Sequence, residues 1–408
     1  MRLRIVVSQF WRDLKAHRLR TGLTLFGLGW GTFCVILLLS FGEGLQRKQM
    51  ETMSSMGNRI ILIWGSRSSV PFEGLPQGRR IHLEDGDADA ILREVPGVSA
   101  ASPEYSDEVP LQGPAGQTSA SISGVRPGFA EMRKVEPEPG GRFIDDLDQR
   151  DRRRVAVIGS QVKKDLFGNQ SAIGATIEIH GAPFLVVGTL PDKEQDSNYN
   201  GQDNHRILIP SVTAQATLGQ RWPDNLVVEV RQGAKSSEVM DEIRAVMGRI
   251  HHFDGKDQEA LSVWDVGEML ATVGTIFVGF KVFLTLLGSF TLAVAGIGVA
   301  NIMSMIVEDR TSQIGISMAL GARREWVLSQ ILLETLLVTA VGGGAGVLLA
   351  SAVVAAASAL PLGEIGTPVF SWQVALFTAA LLAGIGIISG MGPARRAAAL
   401  NPADALRS

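Results

Sequence analysis

The sequence predicts a membrane protein with four transmembrane α-helices and a large α+β extracytoplasmic domain inserted between helices 1 and 2. Apolar residues make up 46% of the 408 positions, and the mean hydropathy is +0.18 although a long central stretch is polar. The apolar content is therefore concentrated in runs, which are long enough to cross a hydrocarbon core about 30 Å thick. Basic residues flank these runs on one side, so four spans give a consistent orientation.

Composition excludes several classes of function. The net charge of −3 and the pI of about 6.1 provide no basic footprint for nucleic acid. The one cysteine, Cys34, lies inside the first apolar run. It cannot form an intrachain disulfide, a redox pair or a zinc site, so we interpret it as a small core residue.

Residues 1–20 predict an amphipathic helix on the cytoplasmic surface of the membrane. The segment has six Lys or Arg residues and one acid, and its apolar residues recur at helical spacing: Leu3, Val7, Phe10 and Leu14. Helices of this kind bury one apolar face among the lipid headgroups. A mitochondrial-type presequence is the alternative, but an uninterrupted apolar run follows directly.

Residues 21–42 predict the first span, because none of these 22 residues is charged. A cleavable signal peptide would have a shorter apolar region and a small-x-small site, so we interpret the run as an uncleaved anchor. Gly27, Gly29 and Gly31 lack side chains near its middle. Such glycines either allow another helix to approach closely or are generic glycines of a membrane helix.

Residues 43–270 predict an α+β extracytoplasmic domain that can divide into two lobes. Short apolar runs alternate with Gly, Pro and Asp, which is typical of strands. The predicted strands are Ile60–Trp64, Val155–Ile158, Thr176–Ile179, Phe184–Val187, Ile207–Ile209 and Leu226–Val230, and the predicted helices are Leu83–Val95 and Ser236–Ile250. Pro191–Asn204 is polar and is interpreted as a mobile loop.

Residues 271–306 predict a second span that begins outside the membrane as a stalk. The apolar run Val273–Ile306 would form a helix of about 50 Å, longer than the hydrocarbon core. Lys281 lies within the run, where a lipid-exposed midplane position would cost a few kcal/mol. A stalk places Lys281 at or above the interface. Gly288, Gly296 and Gly298 are candidate close-packing sites.

Residues 326–357 predict the third span, with Trp326 in the aromatic belt at its start. Glu334 follows about two turns later and either pairs with a neighbouring helix or lies in the interface. The glycines Gly342, Gly343, Gly344 and Gly346 give this span a flexible or tightly packed centre.

Residues 372–391 predict the fourth span, which we expect to end at Pro393 because proline interrupts helical hydrogen bonding. A short external loop, 361–371, precedes this span. Residues 392–408 form a cytoplasmic tail, in which Asn401 and Pro402 are a good N-cap and N1 pair for a last short helix.

The flanking charges predict the orientation. The tail at 1–20 is basic, and the other basic flanks contain Arg310, Arg323, Arg324, Arg395, Arg396 and Arg407. Four spans place all these flanks on the cytoplasmic side and residues 43–270 on the other.

Residues 307–325 predict a short cytoplasmic helix between spans 2 and 3. Ile314 and Met318 lie one turn apart within Thr311–Leu320. Thr311 or Asp309 can cap the first turn, and Gly321 can adopt the left-handed conformation that ends the helix. A solvated linker needs neither an apolar pair nor a defined start and stop, so we expect a partner protein to dock here.

The same stretch resembles the coupling region of MacB/FtsX-type ABC transporter permeases. The shared pattern, ER/EDR-x-x-QIG-x-x-x-ALGA-R-R followed by Q-x-x-x-E, is carried by Glu308, Asp309, Arg310, Gln313, Ile314, Gly315, Ala319, Leu320, Gly321, Ala322, Gln330 and Glu334. Gly141–Leu190 and Ile207–Gly219 resemble the extracytoplasmic domain of that family. The ending PARRAAALNPADALRS resembles the family's terminus, so the likeness covers nearly the whole chain.

The resemblance implies the permease subunit of an ABC system in the inner (cytoplasmic) membrane. It implies a dimer with itself or a similar permease, above an ABC ATPase whose hydrolysis moves the extracytoplasmic domain for export or for lipoprotein or peptide handling. The implied ATPase contact, the coupling helix, comprises Glu308, Arg310, Gln313, Ile314, Gly315, Met318, Ala319, Leu320 and Gly321. A periplasmic adaptor, an outer-membrane channel and the cargo are left open.

Catalytic, cofactor and metal sites are not expected in this chain. The sequence has no GxxxxGK[ST] phosphate loop and no GxSxG or HExxH motif, so we expect ATP hydrolysis on a separate subunit. His251 and His252 with Asp254, and Asp203 with His205, lack the ligand spacing of recognised sites. The alternative function is a membrane-anchored sensor or scaffold that ATP does not drive, which would not need the coupling helix.

Overall fold

A computed structural model describes residues 18–54, 57, 59–193, 199–359 and 367–401. Within these residues the chain forms two compact units. The membrane unit contains the residues up to Lys48 and from Gly274 onward, and the extracytoplasmic unit contains Gln49–Val273. The predicted amphipathic helix at 1–20 lies almost entirely outside the described residues, as does the short helix expected after Pro402.

The elements follow one another in a simple order. The helices are α1 (Arg18–Ser54), α2 (Asp85–Glu94), α3 (Phe129–Arg133), α4 (Asp146–Arg150), α5 (Ser160–Phe167), α6 (Ser211–Leu218), α7 (Ser236–His251), α8 (Val266–Asp309), α9 (Thr311–Ala319), α10 (Arg324–Ser358) and α11 (Trp372–Ala398). The strands are β1 (Ile60–Gly65), β2 (Val98–Gln112), β3 (Gln117–Val125), β4 (Val155–Ile158), β5 (Thr176–Ile179), β6 (Ala182–Thr189), β7 (Arg206–Pro210), β8 (Asn225–Val230) and β9 (Leu261–Asp265). A 3₁₀ turn at Asp203–His205 precedes β7.

Among the described residues, four helices, α1, α8, α10 and α11, are long and apolar enough to cross a membrane, which confirms the predicted architecture. The fourth helix does not end where the sequence suggested. It continues through Pro393 to Ala398, so the expectation that this proline ends the helix is wrong. Pro393 and the following Ala394 and Ala397 are buried in the membrane unit, and this packing holds the last turns in place although the proline donates no hydrogen bond.

Glycines bring the membrane helices into close contact. A Cβ atom on Gly346 of α10 would overlap the carbonyl oxygen of Gly29 on α1, and one on Gly288 of α8 would lie 2.6 Å from Val35 Cγ2. By contrast, a Cβ on Gly27 or Gly344 would meet no atom within 4 Å. The predicted glycine sites are therefore specific contacts at some positions and generic at others.

Lys281 has an ionic partner in the same unit. Its Nζ lies 2.6 Å from Glu43 Oε2, the first charged residue after the apolar run of α1. Nearby, the Val369 N–H donates to the Ser40 carbonyl oxygen at 3.2 Å. The charge that interrupts the second apolar run is thus neutralised by a charge at the end of the first.

The extracytoplasmic unit is built on one nine-stranded sheet in the order β5-β6-β4-β7-β3-β2-β8-β1-β9. Only β3/β7 and β4/β6 pair in parallel among the described strands. Helices α2 and α7 bury their apolar faces against β1, β2, β8 and β9 in one core cluster. A second cluster lies among β2 to β7 with α5 and α6, and a third contains residues of β1, β3, β4, β7 and β8. The contact pattern gives Gln49–Val273 as one compact unit.

Strands β2, β3 and β9 have no counterpart in the sequence prediction. β2 contains two prolines and several polar residues, and β3 contains three serines and one glycine. These compositions disfavour strands in isolation. In the sheet, β2 pairs with β8 through Val98–Glu104 and with β3 through Tyr105–Gln112, so each half of the strand has a partner.

Candidate coupling helix

The coupling helix predicted from the sequence is α9, which directly follows α8. Arg310 separates the two helices, with φ −102° and ψ 8°. The helix ends at Leu320 and Gly321, and Gly321 adopts φ +99°, as its predicted stop role requires. The Ala322 N–H donates to the Ser317 carbonyl oxygen at 3.0 Å and closes the turn.

The predicted N-terminal cap is wrong. Arg310 occupies the N-cap position of α9, and its side chain makes no cap hydrogen bond. The Thr311 hydroxyl instead donates to the Val307 carbonyl oxygen at 3.1 Å, one turn back along α8. Because α8 runs up to Asp309, the first turn of α9 follows an existing helix end and does not start from an extended cap residue.

The predicted contact residues fall on two sides of α9. Gly315 is buried, and Ile314 and Met318 pack against the apolar core of the membrane unit. The exposed side carries Ser312, Gln313, Ile316, Ala319 and Leu320, and Gly321 and Glu308 are also exposed. We expected the Ile314–Met318 face to receive the partner, and the structure instead places that pair against the protein's own core.

Sequence reasoning missed Ile316 as a surface residue. Ser312, Ile316 and Leu320 are spaced four residues apart, which is the spacing of one helix face. Ile316 is 45% exposed and Leu320 is 84% exposed. Two apolar rows therefore run along α9, and the sequence alone does not say which one faces inward.

An ion pair ties the start of α9 to the third span. Arg310 Nη1 donates to both Glu334 oxygens, at 3.1 and 3.2 Å. Gln330 Nε2, one turn earlier on α10, donates to Glu334 Oε1 at 3.3 Å. The side chains of Arg310 and Glu334 are only 11% and 4% exposed. Glu334 therefore pairs with a residue outside its own helix, which is the first of the two environments considered for it.

The histidines of the extracytoplasmic unit make local pairs. His251 Nε2 lies 2.9 Å from both carboxylate oxygens of Asp87, and His252 Nδ1 lies 2.9 Å from Glu73. Asp203 accepts from Arg133 at 3.1 Å. Across the part of the chain that the structure describes, no group of three or more His, Cys, Asp or Glu residues could hold a metal ion.

Asp203 belongs to a buried cluster of charges rather than to an acid–base pair with His205. Arg206 Nη1 lies 3.6 Å from Glu104 and 3.8 Å from Asp203, and the Arg133 guanidinium lies 4.8 Å from the Tyr199 ring centre. Burial opposes the charge of Arg133, but Tyr199, Asp203 and Glu104 together hold its pKa above the ordinary value. The cluster joins the segment before β7 to β2 and α3, so its evident role is structural.

An open cavity of about 760 Å³ lies beside the C-terminal end of α7. Its charged lining includes Asp241, Arg244 and His252. Arg244 pairs with Asp241 at 3.2 Å, and His252 pairs with Glu73. Because charges of both signs neutralise one another there, the cavity has no concentrated charge that would select one class of ligand.

Comparisons with known proteins agree with this geometry. Residues 21–246 match the family model described as MacB-like periplasmic core domain, and residues 285–402 match that described as FtsX-like permease C-terminal. Macrolide export ATP-binding/permease protein MacB from Bdellovibrio bacteriovorus is 30% identical over 409 residues, which cover 98% of this chain and 61% of the relative. Pyoverdine export ATP-binding/permease protein PvdT from Pseudomonas syringae pv. tomato is 34% identical and is covered over 59% of its length.

The chain therefore spans about 60% of the length of these curated relatives. Among solved structures, the periplasmic region of MacB from Actinobacillus actinomycetemcomitans matches with a TM-score of 0.44 and 18% sequence identity. That match covers 55% of this chain and 96% of the other.

Proposed function

The chain belongs to the family of MacB-like and FtsX-like ABC transporter permeases, a multi-pass inner-membrane protein with an extracytoplasmic domain, and we propose that it is the membrane subunit of an ATP-driven transporter. An ABC ATPase, on a subunit distinct from this chain, binds the exposed side of α9. The permease itself contributes no catalytic residue and transmits the movement that ATP hydrolysis generates.

The observation that carries this proposal is the exposure of apolar side chains on one side of α9. Ile316 and Leu320 are exposed at the end of the bundle that the flanking arginines assign to the cytoplasm. Exposed apolar side chains beside polar ones are typical of a protein contact surface, since they gain free energy only when a partner covers them. The opposite face, with Ile314 and Met318, and the Arg310 side chain attach α9 to the membrane helices. Movement of a bound partner would therefore be transmitted to these helices.

The path of the chain supports a lever between the two sides of the membrane. Helix α8 runs without interruption from Val266 to Asp309, which is about 66 Å at 1.5 Å per residue. It begins directly after β9 of the extracytoplasmic sheet and ends one residue before α9. Displacement of α9 would thus reach the extracytoplasmic domain through one continuous helix.

The proposed assembly contains two permeases above two ATPase subunits. The resemblance to ATP-binding/permease proteins favours export as the reaction class, because two relatives are described as exporters of a macrolide and of pyoverdine. A lipoprotein or peptide is the alternative cargo. A periplasmic adaptor and an outer-membrane channel would complete such a system in a cell with two membranes.

Site-specific photo-crosslinking in the native membrane tests the proposal. A photoreactive amino acid replaces Leu320, and a matched variant carries it at Leu147, which is exposed in the extracytoplasmic unit. We expect mass spectrometry to identify an ABC ATPase in the Leu320 adduct and not in the Leu147 adduct. A Leu320 adduct that contains only lipid, or a protein without nucleotide-binding motifs, would favour the sensor or scaffold function.

A further inference from the structure

We infer that Arg310 and Glu334 are positioning residues that make α9 and α10 move as one body. A displacement of the coupling helix α9 then moves the third span, α10, directly. The inference rests on the proposed function for the source of the displacement. The mechanical link itself is a property of this chain and can be measured without a partner.

Arg310 lies at the joint between two helices. Its N–H donates to the Ile306 carbonyl oxygen at 3.1 Å, and its own carbonyl oxygen accepts from the Ile314 N–H at 2.9 Å. Its backbone is therefore bonded to α8 on one side and to α9 on the other. The break between α8 and α9 therefore falls at a residue whose side chain reaches α10.

Glu334 receives that side chain deep in the bundle. It lies ten residues after the start of α10, about 15 Å along the helix axis. The neighbouring residues Ile331 and Val338 are buried and apolar, and the Glu334 side chain is 4% exposed. A carboxylate in such surroundings needs a counter-ion, so release of Arg310 would leave an unpaired charge among apolar side chains.

A second contact prevents rotation about the ion pair. Ile314 and Met318 pack against the core cluster that contains Val327 and Ile331 of α10, and Gly315 is buried between them in sequence. Two separate attachments therefore hold α9, an ionic one to α10 and an apolar one to the shared core of the membrane helices. The apolar attachment alone would allow sliding, because apolar contacts have no preferred direction. Arg310 Nη1 contacts both carboxylate oxygens of Glu334, and this directional hydrogen bonding restricts sliding in a way that the apolar contact does not.

The direct test is hydrogen exchange of the purified chain in lipid nanodiscs. Glu334→Gln removes the charge and keeps the size, and Glu325→Gln is the control because Glu325 is exposed at the start of the same helix. We expect the α9 amides from Gly315 to Leu320 to exchange at least tenfold faster in Glu334→Gln and at the wild-type rate in Glu325→Gln. An unchanged rate in Glu334→Gln would overturn the inference.

A second variant covers the case in which Glu334→Gln does not accumulate in the membrane. Arg310→Lys retains the positive charge but provides a single ammonium in place of the planar guanidinium. We expect an increase of about threefold in the exchange of the same amides. Wild-type exchange in Arg310→Lys would also overturn the inference.

The final arm adds the ATPase and separates this inference from the proposed function. We expect Glu334→Gln to retain the ATPase within twofold of wild type while losing the ATP-dependent change in α10 exchange. Joint loss of binding and coupling would show that the pair only builds the docking surface and would overturn the inference. Failure of the wild-type chain to bind an ATPase would refute the proposed function, and the exchange of the chain alone would still decide whether the ion pair links the two helices.

Discussion

The backbones of the first and third spans meet at Gly29 and Gly346. A Cβ on Gly346 would overlap the Gly29 carbonyl oxygen and would lie 2.7 Å from Thr32 Cβ. Real Cβ atoms do not approach backbone so closely, hence an alanine here requires the helices to separate. Lipid-facing helices gain no hydrophobic energy from association, so this contact contributes through packing alone.

Gly346→Ala and Gly344→Ala should therefore have opposite effects on stability. Gly344 has no atom within 4 Å of its Cβ position, so alanine there should leave stability unchanged or raise it by up to about 1 kcal/mol through helix propensity. Gly346→Ala should lower the free energy of unfolding by about 1–3 kcal/mol through overpacking. Thermal unfolding of the purified variants in detergent measures both. Equal melting temperatures would mean that the two helices do not touch at this point.

Charges on the two sides of α9 should affect different properties. Ile316→Asp lies on the exposed side, so it should leave the membrane level of the permease unchanged and reduce co-purification of the ATPase at least tenfold. Ile314→Asp places a carboxylate against the apolar core, where an unpaired charge is costly, and should lower the membrane level. Immunoblots and pull-downs at matched expression separate the outcomes. If the ATPase co-purifies with Ile316→Asp as it does with wild type, the exposed side of α9 is not the docking surface.

The orientation can be tested with two serines that are both exposed. In a Cys34→Ala background, Ser237→Cys in the extracytoplasmic unit should react with an impermeant thiol reagent on intact cells or spheroplasts. Ser312→Cys on α9 should react only after the membrane is permeabilised. Because both positions are exposed, a difference in labelling reports the side of the membrane. Rapid labelling of Ser312→Cys from outside would contradict the four-span orientation.

Asp148 should make the extracytoplasmic unit sensitive to acid. Burial alone would raise the pKa of its carboxyl, but the Arg142 hydrogen bond, the Asp145 backbone N–H and the charges of Arg142 and Arg153 hold the pKa below the ordinary value of 3.8. A pKa that is lower in the folded state means that the stabilisation is complete above about pH 3.8. It is lost as the pH falls through the folded-state pKa.

Asp148→Asn should then lower the free energy of unfolding at pH 7 by about 2 kcal/mol, because a charge-assisted hydrogen bond from Arg142 to this buried carboxylate is lost. It should also flatten the decline of stability below pH 3.8. Asp151→Asn is the control, since Asp151 pairs with Arg150 on the exposed surface and should change neither property. Melting temperatures of the full chain measured from pH 7 to pH 3 give the comparison. If the stability of Asp148→Asn still declines below pH 3.8 as in wild type, other carboxylates cause the acid sensitivity.

The sequence determined the membrane architecture because that property is local. An uncharged run such as 21–42 prefers hydrocarbon to water regardless of its neighbours, and arginines beside a run fix its orientation. The same holds for β4 and β5, whose apolar or alternating patterns gave Val155–Ile158 and Thr176–Ile179 with the observed bounds. The stop of α9 at Gly321 followed from the conformational freedom of one glycine.

Only the tertiary structure decided which apolar row of α9 faces the bundle and where Glu334 finds its counter-ion. A helix of nine residues with two apolar rows has two nearly equivalent orientations, and packing against the shared core of the membrane helices selects one of them. Strand β2 is similar, because its prolines and polar residues form a strand where β8 pairs with its first half and β3 with its second half. In each case the free energy that fixes the result comes from residues distant in sequence, so no local pattern contains it.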